Sequence, residues 1–384
     1  MAHDVAADFL ADVRAFARTH VEKHTAAWAR GEAIDPAVAL HAARIGLTRI
    51  EIPVASGGMG LSFHTKVEAC AIIAAADFGL AMSLVNTHNV AKRIAVTAPE
   101  AVARTLVPDL IAGRASACTA LTEPSAGSDA AAMRCTARPT ECGWILDGEK
   151  TWIVNARHAR LSIVYAQTGE HSDATGIAAF LVDLTNPCCE RYAIESGFSQ
   201  ASIGTGGFRL NQYFAPSEHA ILPAGTAFKA ILSEINGARI YVAAMCCAMV
   251  SAGLRLARTH GETRQSFGKP LDQQPTWREP LARCATQLAA AWALVETAII
   301  ATEAGGDARH LAAAAKVNAV SLAQAQLPAM LHAMGAEGLK DTYPFTRHIG
   351  AAQIAALTDG STGMLLDRLA RWDPIPVQLR ALQG

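Results

Sequence analysis

The chain of 384 residues is long enough for two or three domains around a large buried core. Hydrophobic residues make up 51% of it and charged residues only 17%, which excludes a disordered, self-solvating polymer. A formal net charge of -1 leaves no basic excess for nucleic acid, and a chain this apolar is expected to hide surface between subunits.

Nine cysteines occur singly or as the adjacent pairs Cys188-Cys189 and Cys246-Cys247, with no C-x-x-C spacing. They read as small hydrophobes rather than zinc ligands, and no metal is expected. The start, Met1 to Asp4, carries neither a basic stretch nor an apolar one, so no secretory signal is visible and a reducing, cytoplasmic setting is the expectation. The most apolar window, Ile240 to Gly253, is shorter than the roughly 20 residues that a membrane span needs, so none is expected.

Residues 1–115 read as helices. Phe9, Leu10, Val13, Phe16 and Ala17 recur at three- and four-residue spacings and form one apolar stripe. The glycine-rich loop from Pro53 to Gly60 is followed by no Gly-Lys-Ser/Thr and is no G-x-G-x-x-G fingerprint, so it reads as a connector. Ala69 to Asn89 reads as one long helix ending in Asn86, Thr87, His88 and Asn89. His88 is a satisfied structural histidine, an acid/base or part of a pocket wall.

The texture changes over 116–222. Leu161 to Ala166 and Gly176 to Val182 are strand-like runs between turn signals, and Asp147-Gly148 between two apolar runs predicts a hairpin. A small β-domain or barrel is expected. The loop from Thr119 to Asp129 lies at this change of architecture. It combines Pro124 and Gly127 with the hydroxyls of Thr119, Thr122, Ser125 and Ser128, which suits a polar ligand lying over it, though a plain interdomain turn has the same composition. From 223 to 384 helices are expected near 225–260, 275–304, 308–334 and 360–371, divided by Pro270, Pro275 and Pro280, by Gly305-Gly306 and by Gly335 and Gly338. Helices, then strands, then a four-helix bundle make an α+β chain.

Five blocks carry a resemblance: Thr122-Glu-Pro-Ser-Ala-Gly-Ser-Asp129, Gly148-Glu-Lys-Thr-Trp-Ile-Val-Asn155, Arg264-Gln-Ser-Phe-Gly-Lys-Pro270, Tyr343-Pro-Phe-Thr-Arg347 and Asp359-Gly-Ser-Thr362. In order and spacing, over nearly the whole chain, they resemble the acyl-CoA dehydrogenase family. The resemblance implies FAD lying between a β-barrel domain and the C-terminal helices, with a neighbouring subunit completing its adenine end. Leu121 and Thr122 would line the flavin ring, Trp152 would pack against it, and Val154 would stand where the family often has a Ser or Thr near flavin N5. Ser128 would meet the CoA or pantetheine arm, with Arg239 and His88 as further substrate contacts. Arg264 and Phe267 would reach the FAD of a partner subunit, and Gln274 and the turn at Gly335 match the adenosine-binding region. Gly360 and Ser361 would sit beside the flavin's phosphate and ribityl portion.

The family reaction takes a proton from Cα with a carboxylate while hydride passes from Cβ to flavin N5. The usual Glu is Asp359 here, shorter by one methylene and so retracted by roughly 1 Å, a misplacement that can cost on the order of 100-fold in rate. The same Asp could instead cap the helix that follows. On the C-terminal helix where some members keep their base, this chain has Gly237 and Ala238. His332, Ala336 and Gly350-Ala351 depart from the family pattern as well. The expectation is α,β-dehydrogenation of an acyl-CoA or an acyl-carrier-protein thioester whose acyl group is short or unusual. An electron-transfer partner or oxygen would be the acceptor, and a homotetramer or homodimer the assembly. The alternatives are a flavin-dependent monooxygenase or hydroxylase on the same fold, and a flavin-free scaffold.

Overall fold

A computed structural model describes residues 2–169, 173–198 and 200–372. Six helices come first: α1 (Ala2–Phe16), α2 (Thr25–Ala29), α3 (Pro36–Ile45), α4 (Phe63–Ala76), α5 (Phe78–Thr97) and α6 (Glu100–Ile111). The stripe of Phe9, Leu10, Val13, Phe16 and Ala17 is buried, as its spacing requires. The stretch read as one helix from Ala69 to Asn89 is two. Asp77 adopts an extended conformation between them, and its carboxylate accepts from the Leu80 N–H at 2.7 Å, capping α5. Apolar residues continue across the junction, so periodicity hides it, and the lone Asp in an apolar run is the signal.

The middle of the chain forms β1 (Ala117–Ala120), β2 (Thr136–Pro139), β3 (Gly143–Ile153), β4 (Leu161–Gln167), β5 (Ile177–Asp183), β6 (Cys189–Ala193), β7 (Gly206–Pro216) and β8 (Ala220–Leu222). Their order is β6-β7-β3-β2-β4-β5-β8, with β1 parallel to β4. The path ends at β6 and β8 with no pairing between them among the described residues, so the expected small β-domain has the hydrogen bonding of an open sheet. Strands β4 and β5 are buried on both faces, hence their unbroken apolar runs. Leu161, Ile163 and Tyr165 face a core shared with α5 and α6, while Val164, Ala166 and Phe180 face one inside the sheet domain.

No hairpin forms at Asp147-Gly148. Strand β3 runs straight through, with a register shift between Leu146 and Gly148. Gly148 has φ 143°, and a Cβ there would stand 2.7 Å from the Cys135 Cα. The dipeptide makes a bulge, because the Asp147 carboxylate accepts from the Gln212 N–H of the neighbouring strand at 2.8 Å and holds the chain in the sheet.

The remainder is helical: α7 (Ala227–Thr263), a small hairpin of β9 (Gln265–Ser266) and β10 (Lys269–Pro270), α8 (Pro275–Glu303), α9 (Arg309–Ala333), α10 (Phe345–Leu357) and α11 (Thr362–Leu369). Helix α10 adds a fifth to the four expected, so the bundle is larger than the sequence suggests. The Ile240 to Gly253 window proves to be part of a 37-residue helix. By length and composition both α7 and α8 could cross a membrane, but α7 is mostly buried as the central core helix. Only about a third of the apolar window of α8 is buried within the chain.

Candidate active site

One wall is built where the sheet meets the N-terminal helices. Leaving β1, Leu121 and Thr122 run beside β3, and the Thr122 carbonyl accepts from the Thr151 N–H at 3.0 Å. Behind them lies a buried ion pair of Glu123 with Lys150 at 2.7 Å. The Glu123 carboxylate also accepts from the N–H groups of Arg134 (2.6 Å) and Cys135 (2.9 Å), and Lys150 donates to the Leu121 carbonyl at 3.1 Å. These bonds bolt the first two sequence blocks together. Sequence reading gave Lys150 no role, since a charge 27 positions away in the chain carries no local signal of its partner.

The second irregularity of β3, between Lys150 and Ile153, turns Trp152 outward. Its φ is 57°, uncommon for a bulky residue, and 60% of the side chain is exposed. Val154 packs against the main helical core. Asn155, also at positive φ, donates from its amide to the Ser83 and Ala117 carbonyls, both at 2.9 Å, and locks this end of β3 onto α5. Ser128 lies exposed on the loop beyond Gly127.

The second element is the Asp359 loop between α10 and α11. Asp359 has φ 55° and Gly360 φ 100°. Three successive carbonyls there accept from buried cations: Thr358 and Gly360 from the Lys316 ammonium, and Asp359 from Arg239 Nε at 2.9 Å. Helix α11 is capped by Ser361, whose hydroxyl accepts from the Met364 N–H at 3.4 Å. Ser361 thus takes the capping role that Asp359 might have had. Instead the Asp359 Oδ2 is buried, and no hydrogen bond reaches it from the described residues.

Burial pushes the Asp359 carboxyl up from its ordinary value, against the opposing pull of Lys316 and Arg239. Burial likewise lowers Lys316 to about 8 and Arg239 to about 10. A desolvated carboxylate with a free oxygen, on strained backbone held from three sides, is poised to take a proton.

Beside this loop a cavity of about 740 Å³ opens between α4, α5, α7 and the 302–309 turn. Tyr241 lines it, and its phenol is raised well above the ordinary value, first by burial and then by the Asp359 carboxylate. Asn236 lines it too and accepts from Arg239 Nη1 at 2.7 Å. Tyr241 and Asn236 thus link the cavity to the Asp359 loop, although Asp359 is not itself one of the residues that line it.

Two expected substrate contacts are placed elsewhere. His88 is fully buried, with Nε2 accepting from the Glu51 N–H at 3.0 Å. Its Nδ1 must then carry the proton toward Asn89 Oδ1 at 3.2 Å. Burial lowers its pKa to about 3 and keeps it neutral, so it is a structural histidine behind the wall. Arg239 is buried and engaged on the Asp359 loop, where it holds the carboxylate's backbone instead of a ligand.

Arg264, Phe267 and Gln274 form a separate, projecting group around the β9–β10 hairpin. Phe267 is 95% exposed at φ 52°, and Gln274 donates to the Ser266 carbonyl at 3.0 Å. Gly335, with φ 62°, is exposed just past α9.

Models of the acyl-CoA dehydrogenase N-terminal, middle and C-terminal domains match residues 4–114, 118–213 and 225–372. The chain belongs to the acyl-CoA dehydrogenase family. It is 30% identical over 329 residues to the acryloyl-CoA reductase (NADH) of Anaerotignum propionicum, covering 83% of this chain and 82% of that one. It is 28% identical over 320 residues to the human mitochondrial short-chain specific acyl-CoA dehydrogenase, covering 83% and 77%. Butyryl-CoA dehydrogenase from Megasphaera elsdenii superposes with a TM-score of 0.90 at 26% identity, over 96% of this chain and 98% of that one. Glutaryl-CoA dehydrogenase from Mycobacterium smegmatis, solved with FADH2, gives 0.88 at 25% identity, over 94% and 92%.

As a family member the chain is a FAD-dependent oxidoreductase of the acyl-CoA dehydrogenase type. Its residues fit that cofactor. The outward Trp152 ring, on a strand whose Thr151 N–H is bonded to the Thr122 carbonyl, is a platform for a flat heterocycle.

Proposed function

We propose that this chain dehydrogenates an acyl thioester between Cα and Cβ, with Asp359 as the base that removes the α proton. The observation that carries this is the buried Asp359 Oδ2, which no hydrogen bond reaches from the described residues, on a loop that Arg239 ties to the cavity residue Asn236. Leu121, Thr122, Trp152 and Val154 would hold the flavin ring, Gly360 and Ser361 its tail, and Ser128 the pantetheine arm. When bound, FAD supplies the acceptor for the hydride that leaves Cβ. Asp359 takes the proton at Cα, while Lys316 and Arg239 fix the backbone that aims it. Tyr241 and Phe63 give the cavity aromatic walls against which the acyl group would lie. The acyl group is carried on CoA, as the names of the relatives suggest, or on a carrier protein, and an electron-transfer partner removes the electrons. Anaerobic titration of the purified flavoprotein with acyl-CoA and acyl-carrier thioesters tests the reading. A flavin that no thioester bleaches would refute it.

The pH dependence follows from the charges around Asp359. Its carboxyl is raised above 3.8 by burial, so flavin reduction rises with pH as the carboxylate forms. Lys316 and Arg239 favour the charged form. Lys316→Met removes one of them, so the ascending limb of the rate profile is expected to move to higher pH. A limb that stays in place would show that Lys316 does not act on Asp359.

The poorly buried apolar face of α8 and the projecting Phe267 support a homotetramer or homodimer in which Arg264, Phe267, Gln274 and Gly335 meet the partner's cofactor. Light scattering is expected to give two or four copies. A monomer that retains its flavin would contradict this.

A further inference from the structure

The cavity beside Asp359 is unusually charged for a space that is to hold an acyl group. Five cations and three acids line it. Two pairs are self-contained: Arg93 Nε lies 2.9 Å from Glu234, and Arg309 forks onto Asp307 at 2.6 and 2.8 Å. The third acid, Glu51, is shared. Its carboxylate faces the Lys66 ammonium on one side and Lys92 at 2.8 Å on the other. Burial alone would raise Glu51, but the charges around it, Lys66 first, bring it down to about 2, so it stays an anion. One negative charge thus stands between two ammoniums, and the fifth cation, Lys229, has no ion pair among the described residues.

The excess charge reaches inward. The Lys66 side chain is 7% exposed and that of Lys92 39%. Lys66 sits 4.9 Å from the Phe63 ring centre and 5.7 Å from that of Tyr241, the residue whose phenol senses Asp359. A hydrocarbon tail lying here would strip water from an ammonium and give nothing back. A carboxylate would turn two cations sharing one anion into two pairs, in surroundings where charge-assisted bonds are strong.

We propose that this cavity selects acyl thioesters whose acyl group ends in a carboxylate, with Lys66 and Lys92 as the specificity-determining residues. The inference rests on the acyl-thioester reading above and names its substrate class. His88 supports it from behind, by accepting the Glu51 N–H and fixing the shared acid. The phosphates of CoA are poor candidates for Lys66, which lies behind Phe63 and Tyr241, whereas Lys229 and Arg309 on the same cavity are less enclosed.

Two CoA thioethers that cannot be dehydrogenated test it, S-butyl-CoA and S-(3-carboxypropyl)-CoA, titrated calorimetrically into the holoenzyme. They share every phosphate and differ only in the terminal carboxylate. The wild type is expected to bind the carboxylated probe roughly tenfold to hundredfold more tightly. Lys66→Gln and Lys92→Gln should each remove most of that preference by weakening the carboxylated probe relative to S-butyl-CoA. Lys92 is exposed enough that its variant serves if Lys66→Gln fails to fold. Equal binding of the two probes by the wild type, or a preference that survives in Lys92→Gln, would overturn the proposal. Flavin bleaching by the matching thioesters separates the two readings. If the carboxylated thioether is preferred but no thioester bleaches the flavin, the reaction is wrong and the selectivity stands. If butyryl-CoA bleaches the flavin but the thioethers bind alike, the selectivity is wrong and the reaction stands.

Discussion

Asp359→Asn is expected to slow flavin reduction by an acyl-CoA by about 10²- to 10⁴-fold, the range that a positioned general base supplies, while flavin content and fold are retained. Asn is nearly isosteric, and with Asp it is among the side chains best tolerated at φ 55°, so the backbone has no reason to move. Lys316 and Arg239 would keep holding the carbonyls of 358, 359 and 360, which need no carboxylate. Stopped-flow absorbance of the flavin under nitrogen reads the rate directly. Asp359→Glu restores the length usual in the family, but it puts a longer, less tolerated side chain into a left-handed position. It should therefore fall below the wild type rather than exceed it. Reduction of Asp359→Asn at the wild-type rate would remove this residue from the chemistry.

The second large effect is on stability. Lys150→Met should cost about 3–5 kcal/mol, because it leaves the Glu123 carboxylate as an uncompensated buried charge. Glu123→Gln should cost a comparable amount. It leaves the Lys150 ammonium buried without its anion and weakens acceptance of the Arg134 and Cys135 N–H groups. Because the pair also holds the Leu121 carbonyl, both variants should lose flavin affinity along with stability. Denaturant unfolding followed by circular dichroism and by flavin release measures the two losses. A Lys150→Met protein as stable as the wild type would show that the pair is dispensable.

Much of this was legible in the chain and part of it was not, for identifiable reasons. The helix–sheet–helix layout followed from the switch between three-to-four-residue and two-residue apolar spacing, and the five blocks named the family. Local turn chemistry misled where tertiary contacts overrode it. Asp147-Gly148 reads as a hairpin, yet Gln212 and Cys135 across the sheet make it a bulge. The break at Asp77 was hidden because apolar residues continue on both sides. The ambiguity at Asp359 was resolved only by seeing Ser361 accept from the Met364 N–H. Lys150, Lys316 and the Glu51–Lys66–Lys92 group were out of reach, since each works through partners distant in the chain and a lone Lys in an apolar helix or a strand advertises none of them.

The left-handed conformation of Asp359 has a bearing on how such chains diverge. As the proposed base, Asp359 is a carboxyl kept from water in an unfavourable backbone state, retained only while the reaction needs it, and its replacement by Asn or Gly would relieve the fold. In lineages that abandon proton abstraction, this is the position where drift should begin. The neighbouring Lys316 and Arg239, which hold this loop by its backbone carbonyls and not by the carboxylate, should persist long afterwards as a trace of the lost activity.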